Sequence, residues 1–450
     1  DVILDEFNKP LYLIGCVNEI GKRQKADNIS GLLREPSLEE YVSSKSKNNI
    51  TGYFMQIGID DFDEINGRFG LKCGDEILKQ FSMCMQSCIN ENQKIYELGN
   101  GRFIIMDLAN HSKEDILELY DELKKSVEVA LEENVYRVVY TISVGIVEID
   151  KEMKDYDTLI KYSDFALNEA KKKGKNSCYF FTQDKHKQFI RRREIRVELQ
   201  NAVDHNFKNF DVYYQPIIDI HTRNLIGAEA LMRFKMKRNE QIEFISPAEF
   251  IPILEESGLI IPAGRWILRQ AVACCKKWQE FIPEFKVNVN LSYVQIIKSK
   301  ILDEIKQALK DFNLKPALLG IEVTESGYLE NTYHYKKLWS SLKEEGITLI
   351  LDDYGTGYSN AYRLSDLTPH YIKIDRVLTQ KALSSNYERS ILIYIIEMAH
   401  SLKLNVCIEG VETEEELQEI KKLNPDYIQG YLFGKPAPED EFYNRQIKKK

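Results

Sequence analysis

Two adjacent carboxylates, Asp352 and Asp353, are the residues of this sequence best suited to chemistry. They follow residues 346–350, a short apolar and β-branched run that is typical of a buried strand. Neither an apolar core nor a turn requires both carboxylates, whereas at the fraying end of a strand the two side chains can converge on one cation. From this stretch alone a second interpretation stays open, a solvated turn followed by a helix capped by Ser359, because short motifs match by chance.

The second half of the chain, residues 201–450, alternates strands with helices and predicts a (β/α)8 barrel. The candidate strands span residues 211–217, 225–234, 285–291, 319–323, 348–353, 371–374, 405–409 and 427–430. Only residues 219–224 separate the first two strands, and that connection is too short for a parallel crossover. We therefore expect the first strand to run antiparallel to the second.

Polar residues occur at the carboxyl ends of these strands, where barrel enzymes place their sites. They are Glu229, Asn290, Glu322, Asp352, Asp353, Lys373, Glu409 and Gln429. An unpaired charge beside an apolar strand is costly, so the residues are expected to meet around something charged. Mg²⁺ and Mn²⁺ prefer carboxylate and amide oxygens, and the lack of His or Cys at these ends argues against zinc. The pattern predicts a divalent metal centre.

The motifs that contain these residues resemble the EAL family, the cyclic-di-GMP phosphodiesterases. The similar segments are residues 229–234 (Glu-Ala-Leu-Met-Arg-Phe), 288–292, 322–325, 352–359, 372–375, 409–412 and 429–431. The resemblance covers the whole second half, with Phe234 and Ile408 as mild departures from the family's usual Trp and Ala. It implies hydrolysis of cyclic di-GMP to linear pGpG with two Mg²⁺ or Mn²⁺ ions, and it allows a homodimer, since family barrels often pair.

The resemblance also implies a role for each matching position. The implied metal ligands are Glu229, Asn290, Glu322, Asp352 and Asp353. The implied catalytic group is Lys373, Glu409, Asp353 and Glu325, in which Lys373 orients the attacking water and Glu325 braces the 353–360 loop. The implied substrate contacts are Gln215, Arg233 and Gln429. A non-catalytic receptor for cyclic di-GMP is the alternative function, but a receptor need not keep Lys373, Glu409 and both aspartates.

Residues 27–182 have a mixed α/β pattern that resembles the GGDEF family, the diguanylate cyclases. The matching residues are Ile59 to Phe62, Ile65, Asn66, Gly70, Gly74, Asp75, Ser143 to Gly145, and Ala170 to Asn176. The signature loop departs from the family, because residues 99–103 read Gly-Asn-Gly-Arg-Phe and Gly101 replaces a metal carboxylate. The other metal aspartate of the family falls on Gly58, so the domain is expected to be degenerate and without cyclase activity.

Nucleotide binding without turnover stays open for this domain. Asn66 and Asp75 match positions that contact the guanine base in the family, so GTP is a candidate ligand. A purely structural role for residues 27–182 is the alternative. An active cyclase, alone or in a bifunctional enzyme, is disfavoured by the two glycines at the metal positions.

The remaining segments suggest how the domains are joined. A strand over residues 10–17 and a polar helix over 18–26 resemble the end of a PAS-type sensor running into a signalling helix, which predicts a sensory region before residue 1. The charged, helix-prone residues 183–200 are the predicted linker helix.

Composition narrows the class of protein. The net charge of −9 argues against binding a nucleic acid polymer, which requires a basic face. The eight cysteines include no Cys-x-x-Cys pair and are typical of reduced thiols. No apolar run reaches the ~18 residues that a membrane span needs. We therefore expect this part of the protein to be cytoplasmic, with any membrane or sensory region outside it.

Overall fold

The computed structural model describes residues 2–4, 10–13, 26–45, 51–109, 111–132, 138–150, 155–238, 240–324, 332–355 and 368–448. The chain forms two compact units, residues 1–189 and 190–450. At the start of the first unit, strands β1 (Val2–Leu4) and β2 (Pro10–Leu13) pair antiparallel. The described part of the strand predicted for residues 10–17, Pro10–Leu13, therefore pairs with β1. Residues 14–17 of that strand and residues 18–25 of the predicted signalling helix lie outside the described part of the chain.

The rest of the first unit is built on one mixed sheet. Its strands are β3 (Leu33–Arg34), β4 (Gly52–Ile59), β5 (Gln93–Gly99), β6 (Arg102–Asp107), β7 (Ile142–Ile149) and β8 (Cys178–Phe180), in the order β3-β5-β6-β4-β7-β8. Its helices are α1 (Glu35–Lys45), α2 (Phe62–Phe69), α3 (Leu71–Cys88), α4 (Lys113–Glu132) and α5 (Tyr156–Lys172). The sequence prediction of a mixed α/β, cyclase-like domain is confirmed.

Helices cover both faces of this sheet. Successive strand residues point to opposite faces, so Met55 and Ile57 belong to one apolar core while Phe54 belongs to the other. Every residue of β4 is consequently buried. Helix α5 lies close to β7 because Gly145 has no side chain: a Cβ there would lie 2.3 Å from the backbone nitrogen of Leu167.

Helix α6 (Gln183–Asp204) continues the chain across the boundary between the two units. It covers the residues predicted as a linker helix. Ile195 and Leu199 of α6 are fully buried in the core of the second unit.

Eight strands in the described part of the second unit close a barrel. The strands of this unit are β9 (Phe210–Asp219), β10 (Leu225–Arg238), β11 (Gln241–Ile245), β12 (Lys286–Asn290), β13 (Leu319–Thr324), β14 (Thr348–Tyr354), β15 (Tyr371–Ile374), β16 (Asn405–Glu409), β17 (Tyr427–Gln429) and β18 (Ala437–Pro438). Strand β9 is antiparallel to both of its barrel neighbours, β10 and β17. The pairs from β10 through β12 to β17 are parallel. The predicted barrel with an antiparallel first strand is confirmed.

Helices surround the barrel. They are α7 (Pro247–Ser257), α8 (Ile260–Trp278), α9 (Tyr293–Lys298), α10 (Ile301–Phe312), α11 (Thr332–Glu344), α12 (Arg376–Ser384), α13 (Asn386–Ser401), α14 (Glu414–Lys421) and α15 (Glu439–Phe442). Two of these helices begin with a side-chain cap soon after a barrel strand ends. Ser292 and Gln295 form a capping box at the start of α9, which follows β12. The Asp375 carboxylate accepts a hydrogen bond from the Val377 amide at the start of α12, which follows β15. These caps fix where each strand ends and its helix begins.

No helix in the described ranges combines the length and the apolar character that crossing a lipid bilayer requires.

Candidate active site

The parallel strands bring their polar carboxyl ends to one face of the barrel. In register, Asn290 lies opposite Glu322 and Glu409 lies opposite Gln429. Neighbouring strands are only about 4.8 Å apart, so residues at matching positions are within reach of one another. The convergence predicted from the sequence follows from this register.

Lys373 lies at the centre of the converging carboxylates. Its Nζ is 2.9 Å from Glu229 Oε2, 2.9 Å from Glu322 Oε2, 3.2 Å from Asp352 Oδ1 and 2.7 Å from Glu409 Oε1. The side chain of Lys373 is only 1% exposed. Burial opposes the charged ammonium, but the surrounding carboxylates dominate and raise the pKa of Lys373 well above its usual range.

The carboxylates differ in how strongly they hold a proton. Burial, with the nearby negative charges, raises the pKa of Glu322 well above its usual range and that of Glu409 to about 8. Burial also raises the pKa of Asp352. For Glu229, burial favours the neutral acid, yet the Lys373 charge and the amide of Gln429 outweigh it and lower the pKa. The carboxylates can be ionised together in this buried site only if cations lie beside them and offset their mutual repulsion.

Three of these carboxylates are close enough to share one metal ion. Single oxygen atoms of Glu229, Glu322 and Asp352 lie within 4.8 Å of one another, and all three residues are buried. The Asn290 amide is adjacent, since its Nδ2 donates to Glu229 Oε1 over 2.7 Å. A set of carboxylate oxygens with one amide is the donor chemistry that Mg²⁺ and Mn²⁺ prefer, so the residues fit a divalent metal.

The second aspartate of the pair is placed differently from the first. Asp353 adopts a left-handed backbone conformation, with φ of 56°, and its amide donates to Asp352 Oδ1 over 3.0 Å. Burial and the neighbouring Asp352 raise the pKa of Asp353 to about 6. Its carboxylate is not part of the close group of three. Glu325, predicted to brace the adjoining loop, lies outside the described residues.

A cavity of about 250 Å³ opens above the carboxylates. Gln215 and Gln429 line it, and Gln429 Nε2 donates to Gln215 Oε1 over 3.1 Å and to Glu229 Oε2 over 2.7 Å. Arg233, four residues beyond Glu229 on β10, places its guanidinium carbon 5.5 Å from the centre of the Tyr213 ring. Two of the three predicted substrate contacts, Gln215 and Gln429, thus line this cavity, and Arg233 is not among its lining residues.

Two features of this site were not predicted from the sequence. Arg376 and Glu412 line the cavity and form an ion pair, with Arg376 Nη2 2.7 Å from Glu412 Oε1. Buried Asn288 donates to the Glu322 carboxylate. Its spacing of two residues from Asn290 on one strand was an available signal, since residues i and i+2 share a face.

Glycines occupy the two positions of the first unit, 58 and 101, at which the resemblance to diguanylate cyclases predicts metal carboxylates. Gly101 has a φ of +69°, and a Cβ on it would lie 2.8 Å from Phe62 Cγ. At Gly58 a Cβ would lie 3.1 Å from Lys171 Nζ. An aspartate at position 101 would therefore require both a strained backbone and a shift of Phe62.

Asn66 and Asp75, the predicted base contacts of the first unit, lie on α2 and α3. Asp75 is exposed, whereas Asn66 is partly buried. Asn66 Oδ1 has no hydrogen-bond partner among the described residues, and it lies beside Gly74, where a Cβ would be 1.9 Å away.

Fold and site together define a (β/α)8-barrel protein with a carboxylate-rich centre suited to divalent cations, preceded by a cyclase-like domain. Residues 196–436 match the EAL domain family, and residues 25–177 match the family described as diguanylate cyclase, GGDEF domain. The chain belongs to the EAL domain family and carries a GGDEF domain in tandem.

Curated relatives match this chain over most of its length. The signaling protein YkoW of Bacillus subtilis is 31% identical over 400 residues, which are 88% of this chain and 48% of YkoW. The cyclic di-GMP phosphodiesterase PdeR of Escherichia coli is 28% identical over 430 residues, which are 94% of this chain and 64% of PdeR. The chain thus spans about half to two thirds of the length of these relatives.

A solved structure, PaMucR phosphodiesterase in a c-di-GMP complex, is similar to about half of this chain. It is 29% identical to this chain, with a TM-score of 0.52, and the match covers 55% of this chain and 99% of that one.

Proposed function

We propose that this protein hydrolyses cyclic di-GMP to linear pGpG in a metal-dependent reaction at the barrel face. The observation that carries the proposal is the group of Glu229, Glu322 and Asp352 around Lys373 beneath an open cavity. Membership of the EAL family and the relatives named as cyclic di-GMP phosphodiesterases support it.

Metal binding is assigned to the oxygens of the site. Glu229, Asn290, Glu322 and Asp352 would hold one Mg²⁺ or Mn²⁺ ion, and Asp352, Asp353 and Glu409 a second. Such ions, when bound, polarise a phosphoryl oxygen and lower the pKa of water.

The chain's own residues then orient the reactants. The Lys373 ammonium has three donors, which carboxylates from four strands share in this structure. Metal ions that took over those oxygens would free a donor for the attacking water or for the charge that develops on phosphorus. Gln429, fixed by its bonds to Gln215 and Glu229, can contact the nucleotide. The Arg233 guanidinium can pair with a phosphate oxygen. The oxygen of the water bonds to phosphorus as the bond from phosphorus to one ribose oxygen breaks. That ribose oxygen takes up one proton and leaves as a hydroxyl, and the other proton of the water passes to the new phosphate group or to solvent.

Incubation with cyclic di-GMP, with Mg²⁺ and with EDTA, followed by chromatographic separation of the nucleotides, tests the proposal. Appearance of pGpG only with the metal supports the enzyme. Cyclic di-GMP that stays intact after long incubation but binds to the protein in calorimetry would identify a receptor instead.

The choice of metal gives a further prediction. Mg²⁺ and Mn²⁺ are expected to support hydrolysis, and Ca²⁺ added in excess over Mn²⁺ is expected to inhibit it. Ca²⁺ bonds are about 0.3–0.5 Å longer than those of Mg²⁺ and their geometry is looser, so Ca²⁺ can occupy the carboxylates yet misplace the water. Initial rates at fixed Mn²⁺ and rising Ca²⁺ measure the effect; rates that hold steady at high Ca²⁺ would contradict it.

For the GGDEF domain we propose that cyclase activity is absent and that any effect of GTP is regulatory. Glycines stand at both metal positions, and Gly101 leaves little room for a replacement side chain. Two Mg²⁺ ions cannot be held on a triphosphate without protein carboxylates. GTP binding could alter the phosphodiesterase rate only if it differs between two conformations of the protein.

The expected result with GTP and Mn²⁺ is no cyclic di-GMP. The assay is best done in a Glu229→Gln variant, in which hydrolysis is expected to be too slow to remove a product that forms. Calorimetry with GTP, beside hydrolysis rates of the parent at increasing GTP, tests the regulatory part. Cyclic di-GMP made from GTP alone would refute the loss of cyclase activity, and absence of both heat and rate change would leave the domain a structural role.

A further inference from the structure

Asn288 is a buried amide inside the barrel, next to the carboxylate centre. It lies on β12, two residues before Asn290, and it is 2% exposed. In register it lies opposite Glu229 on one neighbouring strand and Gly320 on the other. A buried polar side chain at such a position needs partners for its amide group.

The partners of Asn288 connect the Glu322 carboxylate to a second buried group. Asn288 Nδ2 donates to Glu322 Oε1 over 2.8 Å and also to the Tyr371 hydroxyl. With the nitrogen of the Asn288 amide facing Glu322, Oε1 is the acceptor, which is the role of an ionised carboxylate. The contact therefore favours the ionised form of Glu322, the form that can bind a metal ion.

The neighbouring strand leaves space for this amide. Gly320, opposite Asn288, has no side chain, and a Cβ there would lie 2.3 Å from Asn288 Oδ1. Any larger residue at position 320 would displace the amide. Strands β12 and β13 therefore accommodate the Asn288 side chain because position 320 is a glycine.

The two oxygens of Glu322 have different partners. Oε2 lies 2.9 Å from Lys373 Nζ, within the carboxylate centre, while Oε1 is bonded to Asn288. Glu322 is fully buried, so no bulk water can replace the Asn288 donor. We infer that Asn288, supported by Tyr371, is a positioning residue that fixes the Glu322 carboxylate so that Oε2 is presented to the divalent metal; this rests on the proposed function.

Loss of the Asn288 donor should weaken metal binding before it changes anything else. Without it Oε1 becomes a buried, unpaired acceptor, and the carboxylate is free to rotate away from its position. Partners that orient metal ligands typically change metal affinity by about 10–100-fold. Asn288 does not itself line the cavity above the carboxylates, and its side-chain amide donates to Glu322 and Tyr371 and not to a predicted substrate contact, so the KM for cyclic di-GMP should not move with it.

The test is calorimetric titration of Mn²⁺ into metal-free parent and Asn288→Leu, a change that keeps the volume and removes the donor. We expect the Mn²⁺ dissociation constant to rise about 10–100-fold. Turnover at limiting Mn²⁺ should fall in parallel and should recover in excess Mn²⁺, with KM unchanged.

Tyr371→Phe should weaken Mn²⁺ binding by a smaller factor. The double variant should bind Mn²⁺ no more weakly than Asn288→Leu alone, because Tyr371 acts through Asn288.

Asn405→Leu is the matched control. Asn405 is the first residue of β16. Together with Asn288 and Tyr371 it lines a small cavity at the end of the barrel opposite the carboxylate centre. Its amide donates to the Tyr427 hydroxyl and not to a residue of that centre. It should bind Mn²⁺ like the parent. If Asn288→Leu bound Mn²⁺ as tightly as the parent, or if Asn405→Leu lost as much Mn²⁺ affinity as Asn288→Leu, the role inferred for Asn288 would be wrong, while the proposed function would stand. A parent that does not bind Mn²⁺ would overturn the proposed function together with it.

Discussion

Glu229→Gln is expected to lower the rate of cyclic di-GMP hydrolysis by about 10³-fold or more, equivalent to about 4 kcal/mol of transition-state stabilisation. The change keeps the shape of the side chain but removes one of the three carboxylates that lie within 4.8 Å of one another. It also turns an acceptor into a donor where Lys373, Gln429 and Asn290 all donate. Metal affinity and catalysis should therefore fall together.

Product chromatography and Mn²⁺ calorimetry on the same preparation measure the two losses. Glu284→Gln, at an exposed position, is the control and should behave like the parent. Hydrolysis by Glu229→Gln at the parent rate would show that the centre described here is not the site of reaction.

Lys373→Met is expected to lower both the stability of the metal-free barrel and the rate of hydrolysis, and Mn²⁺ is expected to restore only the stability. Removing the ammonium leaves carboxylates of Glu229, Glu322 and Glu409 without their shared cation. Breaking a buried ion pair on one side typically costs about 3–5 kcal/mol, so the free energy of barrel unfolding in EDTA should fall by that order. Saturating Mn²⁺ should restore much of the stability by supplying another cation, because binding to the folded state stabilises it. Turnover should stay about 10²–10⁴-fold below that of the parent, the range for a positioned group that transfers or orients a proton.

Urea unfolding followed by tryptophan fluorescence measures the barrel selectively, because all three tryptophans, at 266, 278 and 339, belong to the second unit. Lys306→Met is the control: its ion pair with Glu345 lies at the surface, where such a pair contributes about 0–1 kcal/mol. If Lys373→Met hydrolysed cyclic di-GMP at the parent rate with Mn²⁺, the role assigned to Lys373 would be wrong. If it were as stable as the parent in EDTA, the carboxylates would not depend on its charge.

The sequence by itself determined the architecture of the barrel. Apolar, β-branched runs between turn residues mark the strands, and the short connection 219–224 excludes a parallel pair at the start. Charged residues such as Glu322 and Lys373 are conspicuous because they interrupt apolar strand segments, where an unpaired charge would be costly. Local pattern was sufficient here, since strand periodicity and turn chemistry are properties of neighbouring residues.

Only the tertiary structure decided which atoms meet. That Lys373 contacts four carboxylates, that Asn288 bonds to Glu322, and that Asp353 adopts a left-handed backbone conformation all depend on register and barrel closure. The spread of carboxylate pKa values likewise depends on burial summed over several strands, as the value of about 8 for Glu409 illustrates. These are distances between residues far apart in the chain, and no local pattern encodes them.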